Sequence, residues 1–453
     1  MEMILEFLRD VLSQPALLIG IMSCVGLIAL KRPFHKIMTG TLKPILGYLM
    51  LAAGAGVIVS NLDPLGKMIE HGFHITGVVP NNEAIVAVAQ KVLGVETMSI
   101  LVVGLLMNLL IARFTKFKYV FLTGHHSLFM ACLMSAVLGT AGLSGIELIL
   151  VGGFLMGAWS AISPAIGQSY TSKVTDGDEI ALGHFGSLGY YLSAWVAKYV
   201  GKAEESTEDI EIPEKWGFLR DSTLSTALTM IVFYLIAAIA AGSEFVATLS
   251  GSMSPYLFAV MSAMNFAVGV AIVYSGVRMI LGDLIPAFQG IATKIIPNAI
   301  PAVDCAVFFT YAPTAVVLGF ISSFIGGIIG MLILGAVGGV LIIPGLVPHF
   351  FCGATAGIYG NATGGRRGAA VGAFLNGLAI TFLPALALPV LGQLGFQNTT
   401  FGDADFAVMG LVLGNAFEWI GMAGIYGVVV IAALVLIIPN FIKTKGKVIN
   451  YVE

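Results

Sequence analysis

Apolar runs of roughly 20 residues recur along this chain, and no other feature restricts its fold so severely. A run of that length crosses a bilayer as a helix, where every backbone N–H and C=O finds a partner within its own segment. Hydrophobic residues fill 58% of the 453 positions and charged residues 10%, against about 25% charged in a soluble domain. A soluble chain of this kind would expose apolar patches and aggregate. The expected class is an all-α polytopic membrane protein, with the lipid bilayer as its solvent.

The candidate spans are 15–30, 43–60, 97–113, 120–141, 145–165, 222–243, 254–277, 312–337, 338–358, 369–393 and 407–441, about eleven in all. The last is long enough to be tilted or broken. Two further stretches, 73–94 and 283–305, are apolar but interrupted by Pro, Asn and Gly. They read as re-entrant or broken segments, covered by protein or a watery cavity. Basic residues test this order. Lys31, Arg32, Lys36 and Lys43, then Arg113, Lys116 and Lys118, then Lys173 to Arg220, Arg278 and Lys294, Arg366 and Arg367, and Lys443 to Lys447 all fall on one side. Only Arg9, Lys67 and Lys91 fall on the other. The positive-inside rule then puts the N-terminus outside and the C-terminus in the cytoplasm. The opening MEMILEFLRD is acidic, so no cleaved signal is expected. Cys24, Cys132, Cys305 and Cys352 lie in apolar runs and read as small buried residues.

The two halves echo each other. GTLKPILGYL (40–49) resembles GVRMILGDLI (276–285), and VPNNEAI (79–85) resembles APTAVVL (312–318). TGHHSLF (123–129) weakly matches VPHFFCG (347–353), and DGDEIALG (176–183) matches FGDADFAV (401–408). Four matches in order suggest a duplicated unit of odd span number, hence inverted repeats with the site where they meet. The division expected is a first repeat over 1–165, a cytoplasmic piece over 166–221, a linking helix over 222–250 and a second repeat over 251–453. Within the cytoplasmic piece Leu188, Leu192, Trp195, Val196 and Tyr199 share one helical face, which suits a helix at the membrane surface. The acidic stretch AEESTEDIEIPEK (203–215) reads as a solvated loop, or as a docking surface for a soluble partner.

Ionisable residues at membrane depth are candidates for function. They are Glu83, His125, His126, Glu147, His184, Asp283, Asp304, His349 and Glu418. Asp304 has no basic neighbour in sequence and should face a cavity, since a buried carboxylate needs hydrogen bonds or a counter-charge. His125 and His126 point about 100° apart on a helix, so one of them at most faces a given site squarely. The spacing fits no metal site, no P-loop is present, and no cofactor or nucleic acid is expected.

At these residues the chain resembles a known family. LTGHHSLFM, TDGDEIALGHFGS, KAEESTEDIEIP, AVDCAVFFTYAPTAVVLGF and LIIPGLVPHFF are similar to the membrane component (EIIC) of the bacterial ascorbate phosphotransferase system, over nearly the whole chain. The resemblance implies a transporter subunit, not an enzyme, in the cell inner membrane. It implies a homodimer with a substrate-holding core that moves like an elevator against a dimer-forming scaffold. A partner B subunit, charged by an A subunit, would phosphorylate the sugar. It also places the substrate ligands at Asn82, Glu83, His125, His184 and Asp304, with His126 as packing or a supporting neighbour. L-ascorbate, a small hydroxylated monoanion, would find donors in imidazole and an acceptor in the carboxylate. Where the family often has Gln, this chain has Phe129 and Phe185. An amide pair able to bracket a polyol ring becomes two aromatic faces, which widens the expected substrate to a related sugar acid or less polar polyol. The residues alone also allow a proton-coupled carrier using Asp304 and the histidines, or a channel or structural membrane protein.

Overall fold

A computed structural model describes residues 11, 14–74, 77–78, 80, 82–210, 222–392 and 400–441. Helices dominate: α1 (Pro15–Ala29), α2 (Phe34–Phe73), α3 (Asn82–Phe114), α4 (Gly124–Thr140), α5 (Gly145–Thr175), α6 (Ser187–Val200), α7 (Ser222–Ala241) and α8 (Ser243–Ser250). The second half continues with α9 (Pro255–Lys294), α10 (Pro313–Ala336), α11 (Leu346–Gly392), α12 (Ala404–Ile420) and α13 (Met422–Ile437). Among the described residues seven helices are long and apolar enough to cross a membrane, and α7 with α8 forms a further pair bent by 117°. The chain is an all-α polytopic membrane protein.

The helices pack in two groups that each draw on both halves of the sequence. In one, α9 lies along α2, with α1 and α7 beside them; in the other, α11 packs on α10, α6 and α12, and α3 on α4 and α5. Small residues set the close crossings, as they do where lipid removes any hydrophobic drive between helices. A Cβ added at Gly47 would stand 2.8 Å from the Gly276 carbonyl oxygen, and one at Gly54 would stand 2.7 Å from that of Gly269. These contacts hold α2 against α9.

Each interrupted stretch contains the end of a helix and continues in a new element. Helix α2 ends at Phe73, His74 takes a left-handed conformation, and residues 82–94 then belong to the continuous helix α3. Residues 283–294 likewise finish the 40-residue α9, which absorbs Pro286. A helix at membrane depth tolerates proline where neighbours satisfy the freed carbonyl. The first stretch breaks after Phe73 and the second after Lys294, and two further breaks lie outside both. Helix α11 breaks at Gly364 and Gly365, where Gly365 has φ of 60°. The long span 407–441 breaks at Gly421, φ 64°, between α12 and α13.

Three short strands carry the chain between helices. β1 (Tyr119–Phe121), β2 (Ala181–Leu182) and β3 (Ile300–Val303) form a parallel sheet in the order β1-β3-β2, with Val120 opposite Pro301 and Ala181 opposite Ala302. A second parallel bridge joins Val78 to Ile342. Parallel pairing brings the ends of all three strands to one edge. The internal echoes fall on matching elements. The two 40-residue helices α2 and α9 correspond, and the VPNNEAI and APTAVVL segments lead into α3 and α10. TGHHSLF and VPHFFCG open α4 and α11, while DGDEIALG and FGDADFAV precede α6 and open α12.

Helix α6 exposes Leu192, Trp195 and Tyr199 and buries Tyr190, Tyr191, Ala194 and Ala197. It is packed into the bundle along α11, where Gly360 and Gly368 approach Ser193 and Ala197. Over its described part the acidic segment that follows is a largely exposed loop that is nonetheless tied to the bundle. Glu208 accepts from the backbone N–H groups of Thr314 and Ala315 at 3.1 Å each, capping α10 across sequence. The Thr207 N–H donates to Asn361 Oδ1, and the Arg366 N–H donates to the Glu205 carbonyl. Orphan N–H groups at two helix starts draw this chain down, which the charge count could not show. Residues 211–215 of the stretch lie outside the described residues.

Candidate substrate site

Each strand of the small sheet ends one to four residues before one of the candidate side chains. β1 leads through Leu122, Thr123 and Gly124 to His125 in the first turn of α4; β2 leads through Gly183 to His184; β3 leads directly to Asp304. The sheet register therefore gathers residues separated by as much as 179 positions in sequence. His125 Nε2 lies 3.5 Å from Asp304 Oδ2, and His125 Nδ1 lies 3.3 Å from the Tyr48 hydroxyl of α2. Asp304 Oδ1 accepts from the Ala306 N–H at 3.0 Å and caps the short 3-10 turn Cys305–Thr310. The His125 side chain is 37% exposed and that of Asp304 is 9% exposed, so the pair opens to space on the imidazole side.

His126 and His184 sit deeper, their ring centroids 3.8 Å apart. His126 Nδ1 accepts from the Phe185 N–H at 3.4 Å, and its ring stacks on Phe406. His184 Nδ1 faces the Tyr190 hydroxyl at 2.9 Å and the Gly186 N–H at 3.1 Å. It also lies 3.9 Å from Asp403 Oδ1. Asn82 opens α3 and joins the same cluster, donating to Asp403 Oδ2 at 2.5 Å while its carbonyl oxygen accepts from the Gly402 N–H. Glu83 follows in the first turn of α3, and its side chain lies outside the described residues.

The two phenylalanines part company. Phe129 packs beside His125 and His126, with ring centroids 5.8 and 5.7 Å away. Phe185 is fully buried, stacked on Phe121 at 4.6 Å and edge-on to Phe406. In this conformation Phe185 shows no face to a ligand. An unpartnered amide in such a place costs about 1–3 kcal/mol. Phe185→Gln should therefore lower the thermal midpoint of the purified protein, and an unchanged midpoint would mean that this pocket holds a polar partner.

The remaining candidates lie elsewhere. Asp283 pairs with Lys43 at 3.7 Å, His349 bonds to Ser323 at 2.9 Å, Glu147 accepts from the Tyr426 hydroxyl, and Glu418 is exposed. Four contributors escaped the sequence reading: Tyr48, Cys352, Asp403 and Asp405. The echo between DGDEIALG and FGDADFAV was the available signal for the two aspartates, because it aligns the approach to His184 with the segment that carries them.

Among the described residues no lysine or arginine forms an ion pair with Asp304 or Asp403. Two carboxylates without a cation, set among imidazoles, ask for hydroxyl donors. The ligating atoms of His125, His126 and Asp304 lie within 4.8 Å of one another. An imidazole would have to shift to close around a zinc ion, whose bonds to nitrogen run about 2.0–2.1 Å. The arrangement suits a small polyhydroxylated molecule, bound by acceptors on one side and by imidazoles able to donate or accept on the other.

Comparison with known proteins agrees in kind. Residues 10–405 match the family described as the sugar-specific permease component of the PTS system. The chain is 26% identical over 417 residues to a curated protein of Mycoplasma pneumoniae, the ascorbate-specific PTS system EIIC component; the match covers 79% of this chain. The chain spans 62% of the length of that relative.

Proposed function

Because the chain belongs to the sugar-specific permease components of the phosphotransferase system, we propose that it carries L-ascorbate, or a related sugar acid or polyol, across the bacterial inner membrane for phosphorylation by a partner B subunit. The observation that carries this reading is the meeting of Asn82, His125, His184 and Asp304 at the ends of the strands and of α3. Asp304 accepts from sugar hydroxyls, His125 and His184 donate or accept, and Phe129 closes one side. Asn82, His125, Phe129 and His184 come from the α3–α6 part of one group, and Asp304 follows β3, which pairs with β1 and β2 of that part. That group is the moving core in this reading; α1, α2, α7 and α9 are the scaffold and the dimer contact. The core slides as an elevator and delivers the sugar to the cytoplasmic B subunit, with the N-terminus outside and the C-terminus inside. The two sequence repeats, 1–165 and 251–453, are inverted relative to each other, joined by the piece 166–221 and the helix 222–250.

Proteoliposomes test the reading. With the A and B subunits and phosphoenolpyruvate supplied, labelled L-ascorbate should accumulate as its phosphate, and omission of the B subunit should abolish accumulation. Accumulation driven by a proton gradient with no partner protein would replace this reading with ion-coupled transport.

A further inference from the structure

We propose that Asp403 is a positioning residue for the substrate site, holding Asn82 and His184 from a segment that neither belongs to. The inference rests on the reading that Asn82 and His184 contact substrate. Asp403 is 5% exposed, and it stands at the start of α12, where it makes no side-chain cap to its own helix. Its carboxylate is spent outward instead. Oδ2 accepts from Asn82 Nδ2 at 2.5 Å; Oδ1 accepts from Cys352 Sγ at 2.8 Å and lies 3.9 Å from His184 Nδ1. The Gly402 N–H beside it donates to Asn82 Oδ1 at 2.8 Å, so the amide of Asn82 is fixed in one orientation by two contacts from the same segment.

The arrangement repeats the one on the open side of the site. Asp304 follows β3 and faces His125, which follows β1; Asp403, itself in extended conformation before α12, faces His184, which follows β2. In both places a carboxylate at a segment end stands against an imidazole. The first pair is partly open and meets the ligand. The second is buried and orients the groups that do. Charge matters in this role, because a carboxylate accepts from an amide and a thiol at once while standing against the His184 ring, whereas an amide in its place brings a donor into the cluster.

Asp403→Asn separates charge from shape. Its amide oxygen can still accept from Asn82, so the variant should stay folded and monodisperse. Calorimetry with L-ascorbate as the probe should show affinity falling about tenfold, the size expected for one lost charge-assisted contact. A second reading needs no ligand. Diethyl pyrocarbonate attacks neutral imidazole, and mass spectrometry should find His184 carbethoxylated on the order of fivefold faster in Asp403→Asn, as its local restraint loosens, with His125 unchanged. Wild-type affinity together with wild-type His184 reactivity in Asp403→Asn would overturn the proposal. If wild type fails to bind L-ascorbate, the function proposed above loses its substrate, while the His184 reactivity still decides the role of Asp403.

Discussion

Asp304→Asn should weaken substrate binding by about 10- to 100-fold, the loss of roughly 1.5–3 kcal/mol for a charged hydrogen-bond partner in a desolvated site, and should leave the protein folded. The two carboxylate oxygens have separate duties. Oδ1 accepts from the Ala306 N–H and starts the 3-10 turn; Oδ2 faces His125 Nε2 at 3.5 Å. Asparagine keeps an oxygen for the turn and turns a donor toward the imidazole and the sugar, so binding fails before folding does. His125→Ala should cost binding on a similar scale, since that ring is the open member of the pair. His126→Ala should behave differently. That side chain is 4% exposed, stacks on Phe406 and accepts from the Phe185 N–H. Its removal leaves a cavity and an orphan donor, which lowers the thermal midpoint more than the affinity. Calorimetry and melting curves on the same preparations separate these effects. Equal affinity losses for His125→Ala and His126→Ala, or wild-type affinity in Asp304→Asn, would put the substrate elsewhere.

The histidines and Asp304 were legible in the sequence because polar groups in apolar runs stand out against their surroundings. Their partners were not, for reasons of geometry. Tyr48 lies 77 residues from His125 and Asp403 lies 321 residues from Asn82, and no local pattern announces a contact at such distance. The strands that align these tips are two to four residues long, too short for alternation to register. Breaks were legible only in part. Proline drew attention to 283–305, where α9 absorbs Pro286 and ends at Lys294, while the break positions Gly365 and Gly421, both at positive φ, drew none. The second role of Glu208 was hidden for a related reason. Six acids in thirteen residues look like a solvated loop, and the described part is largely exposed, but one of them also answers the N–H groups at the start of α10.

The largest loss of stability should follow Asp405→Ala. Asp405 is fully buried, and three donors on two other helices depend on it. Oδ2 accepts from Trp159 Nε1 of α5 at 3.1 Å and from the Ser187 hydroxyl at 2.7 Å; Oδ1 accepts from the Leu188 N–H at 2.9 Å. The Asp405 N–H donates in turn to the Phe185 carbonyl. One residue thus pins the entry of α6, and with it the loop of His184, to both α5 and α12. Alanine orphans all three donors. Single interhelical bonds in membranes average about 0.6 kcal/mol, but an orphaned buried donor costs about 1–3 kcal/mol, so the sum should exceed roughly 3 kcal/mol. Asparagine is not a neutral replacement. Whichever way its amide turns, its N–H2 meets the Leu188 N–H or the Trp159 N–H, and neither of those groups can accept. Asp405→Asn should therefore also lower the melting midpoint, by less than alanine does. Detergent-solubilised variants melted beside wild type decide the matter. Midpoints within about 2 °C of wild type for Asp405→Ala, where about 3 kcal/mol would shift a domain much further, would show that α6 is held by its packing along α11 and not by this carboxylate.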